Sequence, residues 1–296
     1  MEFTKFELPQ ENVPTSARAP YSVQTFIKDT WPMNLVRISD LTAQDIQAIW
    51  QLATKAMPTL QGNVAWSFEG NGIRTRTTFI QAFRELNLNF VELPNLLKTS
   101  ERACDLAGYL DPFYDIYVVR ENNHERLTEF AKASHRPVIN AMTALGHPCE
   151  VLTDAYSIEK SFGNLANTRI TLWGPTTNVF KSWHELAQVL GLSVVHVCDA
   201  RFHESLGHVR FVEAIDSATD VVITDSWPNG FENTAWSLTD DHLAALGQPK
   251  LLATPPFHIG QEVAIDPLQY PGFMGYMQKV DLLPVQKAIV SYLMSR

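Results

Sequence analysis

FEGNGIRTRTTF, residues 68–79, is the stretch from which the rest of the chain can be read. It sets Arg74 and Arg76 on either side of Thr75, after Gly70 and Gly72 and just ahead of residues 77–86, whose pattern predicts a helix. A helix N-terminus presents unpaired backbone N–H groups and the positive end of the peptide dipole. Guanidinium groups, a small hydroxyl and glycines add what a compact phosphate needs. The competing reading is an exposed, salt-bridged helix start, and R-T-R alone leaves the two level.

Working outward, residues 63–68 read as a short buried strand feeding this loop. Before it, Asp40 is the expected N-cap of a helix that opens at Leu41 and that Pro58 ends. After it, strands at 89–93, 116–119 and 137–140 alternate with helices at 100–110 and 125–133. A long helix over about 149–159 and the polar break at 163–167 lead to a second run of the same kind. There a strand at 169–172 is followed by the WGPTTN turn and a helix at 179–190. Strands at 193–198, 221–224 and 251–254 complete it, with 209–213 helical or irregular and a terminal helix at 284–294. Strands alternating with helices at this spacing predict α/β architecture with parallel sheets, in which ligands sit at the carboxyl ends of strands. Arg120 follows the strand IYVV, and the segment after PVIN leads to His147.

The chain has 296 residues, 45% hydrophobic and 19% charged, a globular profile. At a net charge of −9, a phosphate site has to be a local positive pocket, which argues against broad nucleic-acid or anionic-membrane binding. Cys104, Cys149 and Cys198 are widely spaced, with no CxxC pair, which fits a reducing compartment and neither a disulfide framework nor a zinc knuckle. No apolar run approaches the ~20 residues that span a bilayer. Glu2 and Glu7, without an apolar run beside them, argue against a signal peptide. The expectation is a soluble cytoplasmic protein with no metal and no cofactor. Pro9, Pro14, Pro20 and Pro32 mark residues 1–30 as an N-terminal arm.

Taken in order, the R-T-R stretch, the Arg after a strand, HPCE at 147–150, GPTTNV at 174–179 and TDSW at 224–227 resemble the aspartate/ornithine carbamoyltransferase family, with the ornithine branch closer. The family's usual forms are S-T-R-T-R, H-P-C-Q, a Gly-Asp-x-x-Asn turn, D-x-W-x-S-M-G and H-C-L-P. The match runs in register from about Leu35 onward. The resemblance implies two α/β domains, each a central parallel sheet flanked by helices. Residues 31–150 would bind carbamoyl phosphate, with a C-terminal helix at 282–296 packing back on them, and 151–281 would bind the acceptor. It implies carbamoyl phosphate held by Gly72, Ile73, Arg74, Thr75, Arg76, Arg120, His147 and Glu150, with Arg74, Arg120 and His147 catalytic. For the amine acceptor it implies Asn178, Asp225, Thr254 and Pro255.

Departures from the family forms matter as much. Gly72 and Ile73 stand where the motif has Ser and Thr, so a hydroxyl donor is gone; one lost charge-assisted hydrogen bond costs about 1.5–3 kcal/mol. Glu150 stands for the Gln that accepts from the carbamoyl NH2. A carboxylate also accepts, but its charge beside a dianion is unfavourable, which leaves a protonated Glu150, a shifted substrate or a different donor open. Pro228, Asn229 and Gly230 replace S-M-G, Thr254 replaces the Cys, and Ile259 stands where an Arg follows it. An ornithine-like or specialised acceptor fits this better than plain ornithine. By themselves, His147 also reads as a capping or loop histidine ahead of Pro148, and Asp225 as a helix N-cap.

The family forms homotrimers with sites at subunit interfaces. The matching loop here, residues 97–105, offers Lys98, Ser100 and Arg102, which also read as a surface charge cluster. Residues 260–263, GQEV, would begin a loop that takes part in domain closure around a labile donor. Two functions follow: a carbamoyltransferase giving a ureido product and phosphate, or a non-catalytic or altered-donor homologue serving as a ligand-binding or partner subunit.

Overall fold

A computed structural model describes residues 32–70 and 72–296. The expected arm at 1–30 lies outside the described residues. Where the chain turns β, the strands are short, and central ones such as IYVV at 116–119 and VVIT at 221–224 are rich in Val and Ile and buried on both faces, as helix-covered parallel sheets require. The first sheet contains β1 (Asn63–Phe68), β2 (Asn89–Glu92), β3 (Ile116–Arg120) and β4 (Val138–Met142), in the spatial order β2-β1-β3-β4 and parallel throughout. Helices α2 (Ile73–Glu85), α3 (Ala103–Leu110) and α4 (His124–Ala133) make the crossovers, after α1 (Ala43–Ala53). The order reverses between β1 and β3, so a crevice opens beyond Phe68 and Arg120.

Helix α5 (Pro148–Phe162) carries the chain across to the second sheet, buried along most of its length, and Gly163 ends it in the left-handed region at φ 80°. That sheet contains β5 (Ile170–Trp173), β6 (Val194–Val197), β7 (Val209–Val212), β8 (Val221–Thr224) and β9 (Lys250–Ala253), ordered β7-β6-β5-β8-β9 and again parallel. Helices α6 (Asn178–Leu190) and α7 (Asp240–Ala245) lie between strands. Its order reverses between β5 and β8, which puts the WGPTTN turn and Asp225 at the second crevice. Helix α8 (Met277–Met294) returns to pack on α1, α2 and α5. One apolar core runs from Val64 and Ile116 through Leu152 and Ile158 of α5 to Ile170 and Ile223, so both sheets share it.

Four elements differ from the sequence expectation. Helix α2 starts at Ile73 rather than Thr77, because Gly72, at φ 39°, caps it directly and R-T-R forms its first turn. The segment 209–213 is an edge strand, β7, whose Val209 pairs with Val194; only one neighbour and a half-exposed face left it little pattern. Helix α8 starts at Met277, with Pro284 inside it. Proline breaks the bond to the carbonyl four residues back, here that of Val280, which is 64% exposed and open to water. Helix α1 is capped by Thr42, which accepts from Asp45 N–H, while Asp40 accepts the N–H groups of Val36 and Arg37. The short helix α7 had no counterpart in the reading. Among the described residues no helix is long and apolar enough to cross a membrane.

Candidate functional site

The two crevices open into one cleft of about 690 Å³, lined from the first sheet by the start of α2, Arg120 and His147 and from the second by the residues after β5, β8 and β9. Strand β1 ends at Phe68, and Gly72 brings the chain back over it. A Cβ on Gly72 would lie 3.0 Å from the Phe68 ring and 3.2 Å from Arg120 Cδ, so the glycine is needed both for its positive φ and for the close approach. Beyond it Arg74 is exposed in the cleft and Thr75 is buried. Arg120 lies over the Phe68 ring at 5.9 Å; burial, and then the Arg74 charge, lower its pKa. Ile73 is 71% exposed, an apolar side chain at the mouth of an otherwise cationic site.

His147 is buried just before Pro148 opens α5. Its backbone N–H donates to Ser182 Oγ at 2.9 Å, and its ring Nδ1 is buried with no partner among the described residues. Burial, followed by the Arg120 and Lys279 charges, pushes its pKa down to about 3, so the imidazole is neutral at physiological pH. One turn on, Glu150 lines the same wall, and Lys279 of α8 donates to its Oε1. Burial foremost, then the Arg74 guanidinium, pull the Lys279 ammonium down to about 7, and it stays in direct contact with the Glu150 carboxylate. The cation that answers the Glu150 charge therefore comes from the distant end of the chain. The sequence reading missed Lys279 because Pro284 hid the start of its helix.

Arg76 does not enter the cleft. Residues two apart on a helix point to different faces, and once α2 begins at Ile73 only one of the two arginines can face the crevice. Arg76 Nη1 instead donates to Glu92 at 2.5 Å, with its guanidinium 5.3 Å from the Phe68 ring centre. Lys98 pairs with Glu121 at 2.8 Å and Glu69 at 3.2 Å, and Arg102 with Asp105, all within this chain.

Across the cleft, Thr177 caps α6 and Asn178 is its first residue. The Asn178 side-chain NH2 donates to Thr143 O at 2.7 Å, a bond that ties α6 to the segment after β4. Asp225, directly after β8, is buried and lines the cleft. Burial raises its pKa to about 6, against hydrogen bonds from the Thr177 hydroxyl and Ser226 N–H, and the Glu262 carboxylate raises it further. Thr254 and Pro255 follow β9 on the same side. Glu262 of the 260–263 segment is buried, and its Oε1 accepts His258 N–H at 2.5 Å. The cleft thus collects every residue expected for either ligand except Arg76, and adds Lys279 and Trp227. Among the described residues no group of three or more His, Cys, Asp or Glu could hold a metal ion.

Residues 33–160 match the family model for the aspartate/ornithine carbamoyltransferase, carbamoyl-P binding domain. The ornithine carbamoyltransferase of Methanopyrus kandleri is 30% identical over 226 residues, 66% of this chain and 72% of that protein. That of Caulobacter vibrioides is 27% identical over 255 residues, 76% of this chain and 81% of that protein. Among solved structures, the ornithine carbamoyltransferase of Thermus thermophilus superposes with a TM-score of 0.81 at 23% identity, covering 90% of this chain and 100% of that one. The enzyme from Pyrococcus furiosus gives 0.80 at 22%, covering 90% and 98%. These structural likenesses concern the fold.

Proposed function

This chain belongs to the aspartate/ornithine carbamoyltransferase family, and from that premise we propose that it moves a carbamoyl group from carbamoyl phosphate to an amine other than plain ornithine. The observation that carries this reading is the convergence on one cleft of Arg74, Arg120, Lys279 and the neutral His147, whose Nδ1 has no partner among the described residues, with Asp225 on the far wall. In the reaction the amine nitrogen bonds to the carbamoyl carbon, the carbon–oxygen bond to phosphate breaks, and the amine proton leaves on the phosphate. Negative charge grows on the carbonyl oxygen and on the departing phosphate, so fixed donors aimed there stabilise the transition state without reorganising. Arg74, Arg120 and the N–H groups opening α2 hold the phosphate, and His147 donates to the carbonyl oxygen. Glu150 accepts from the carbamoyl NH2, and Lys279 offsets its charge so that the dianion is tolerated.

Asp225 and Asn178, with Thr254 and Pro255, form the acceptor side. The family pattern supports a cytoplasmic homotrimer with sites at subunit interfaces, and a division of the chain near residue 150 into donor and acceptor domains. One observation favours a second reading: the exposed Ile73 where a hydroxyl would meet phosphate suits an altered donor or a non-catalytic ligand-binding subunit. Calorimetric titration with carbamoyl phosphate, with inorganic phosphate as control, separates the two. Saturable binding tighter than that of phosphate is expected; none at millimolar donor would overturn the carbamoyltransferase reading.

A further inference from the structure

Helix α6 is tied along one face to the donor side of the cleft. Asn178 donates to Thr143 O, Ser182 Oγ accepts the His147 N–H, and Glu185 accepts the Ile38 N–H at 3.0 Å. Another face turns into the second sheet, where His184 meets His196 of β6, Nε2 to Nδ1, at 3.1 Å. His196 in turn reaches the Gly174 carbonyl through Nε2 at 2.8 Å. Both rings are buried and pack on Phe211 at 5.3 and 5.2 Å, with the Phe180 ring edge-on to His196. A buried imidazole is desolvated at a cost that its hydrogen bonds offset, which constrains how this pair is wired.

The wiring has one consistent direction. A carbonyl oxygen only accepts, so His196 carries its proton on Nε2. Burial pushes the His196 pKa down to about 3 and that of His184 to about 4, so both rings are neutral at physiological pH. His196 Nδ1 is then an acceptor, and His184 donates to it from Nε2. Gly174 is the first residue past β5 and begins the turn that delivers Thr177 and Asn178 to the cleft. Its N–H donates to Val197 O at 3.0 Å, and among the described residues no backbone N–H reaches its carbonyl, which leaves that to His196. The Trp227 indole lies against this glycine, with Nε1 3.4 Å from where a Cβ would stand. At the far end of the turn the Thr177 hydroxyl meets Asp225. Neither histidine lines the cleft, yet the peptide they hold abuts three residues that do: Asn178, Asp225 and Trp227.

We propose that His184 and His196 are positioning residues for the acceptor, a two-histidine brace that fixes the Gly174 carbonyl and through it the wall formed by Asn178, Asp225 and Trp227. For the acceptor this rests on the carbamoyltransferase reading above; the brace itself belongs to the fold.

The wiring is tested on the full chain by imidazole 15N shifts of histidine-labelled protein, assigned with His184→Gln and His196→Gln. Both rings should be the neutral Nε2–H form at neutral pH, and a proton on Nδ1 of either would overturn the brace. The positioning role is tested by phosphate release with carbamoyl phosphate and the fastest amine among ornithine, lysine, 1,4-diaminobutane and butylamine. His196→Met, which removes the donor to Gly174, should raise acceptor KM about three- to tenfold, the worth of one hydrogen bond. Its kcat, and its donor Kd in calorimetry, should stay within about twofold. His196→Gln, whose amide can still reach the carbonyl, should bring KM back to within about twofold of wild type. An unchanged KM in both variants, with stability alone reduced, would make the pair a core feature and overturn the role. Should His196→Met not fold, His184→Met takes its place, with His184→Gln as the rescue. A readout that needs no acceptor is the 5-fluorotryptophan resonance of Trp227, assigned with Trp227→Phe. It should move in His196→Met and return in His196→Gln, and a resonance that stays put would overturn the brace. Failure of every amine to react, or of the donor to bind, would instead remove the carbamoyltransferase reading, and the fluorine comparison would still decide the brace.

Discussion

Arg74 and Arg76 are the same residue type two positions apart, yet the helical phase gives them different work. Arg74 has open access to the cleft and is the stronger test of donor binding. Arg74→Ala is expected to lower kcat/KM by about a hundredfold or more, the cost of one fixed cationic donor in a transition state. Arg76→Ala should instead cost about 1 kcal/mol of stability, through the lost ring contact and a partly exposed ion pair. Its donor affinity should stay within about twofold, measured by calorimetry beside chemical denaturation. Asp225 carries a pH signature. Its carboxyl ionises at about 6, so it is charged above that pH and neutral below it. Affinity for a cationic acceptor should therefore fall as pH drops through 6, and Asp225→Asn should flatten that limb in a pH series of acceptor KM.

At the level of elements, the cleft depends on how α2 begins. Gly72 occupies the left-handed region, and an added Cβ would press on the Phe68 ring and Arg120. Gly72→Ala should cost about 1–2 kcal/mol in stability and weaken donor binding by displacing Arg120, visible as a lower denaturation midpoint and a raised donor Kd. The strands were legible in the sequence where β-branched and apolar runs are buried on both faces: IYVV of β3 and VVIT of β8 needed no tertiary information. Strand β7 was not legible, because an edge strand with one partner carries only a short alternation. Nor were the first two turns or so of α8, residues 277–283, since Pro284 reads as a helix start when its solvent-facing break cannot be seen. That same misreading hid Lys279. That Arg76 lies outside the lining of the cleft was hidden for a related reason: a shift of four residues in where α2 begins changes which arginine meets the crevice.

Across the molecule, the core that passes along α5 joins both sheets. Leu152 lies in it fully buried, and Leu152→Ala should cost about 2–5 kcal/mol. Because the core is shared, hydrogen exchange should show amides of β3 and β8 losing protection together rather than one sheet opening first. The residues that line the candidate cleft were legible at the ends of strands, where α/β topology opens crevices, and not where a distant helix closes the wall.

The bond between Glu150 and Lys279 has a consequence for how this chain can change. The two lie 129 positions apart, yet each is the other's counter-charge in a buried wall. Replacing either alone strands a charge, so Glu150→Gln and Lys279→Met should each destabilise the protein, and Lys279→Met should also weaken donor binding. The double substitution should recover about 1–3 kcal/mol of the summed loss in a thermodynamic cycle. A change at one position is therefore costly while the other stands, and exchanging both together is the less damaging route by which this wall could be rebuilt.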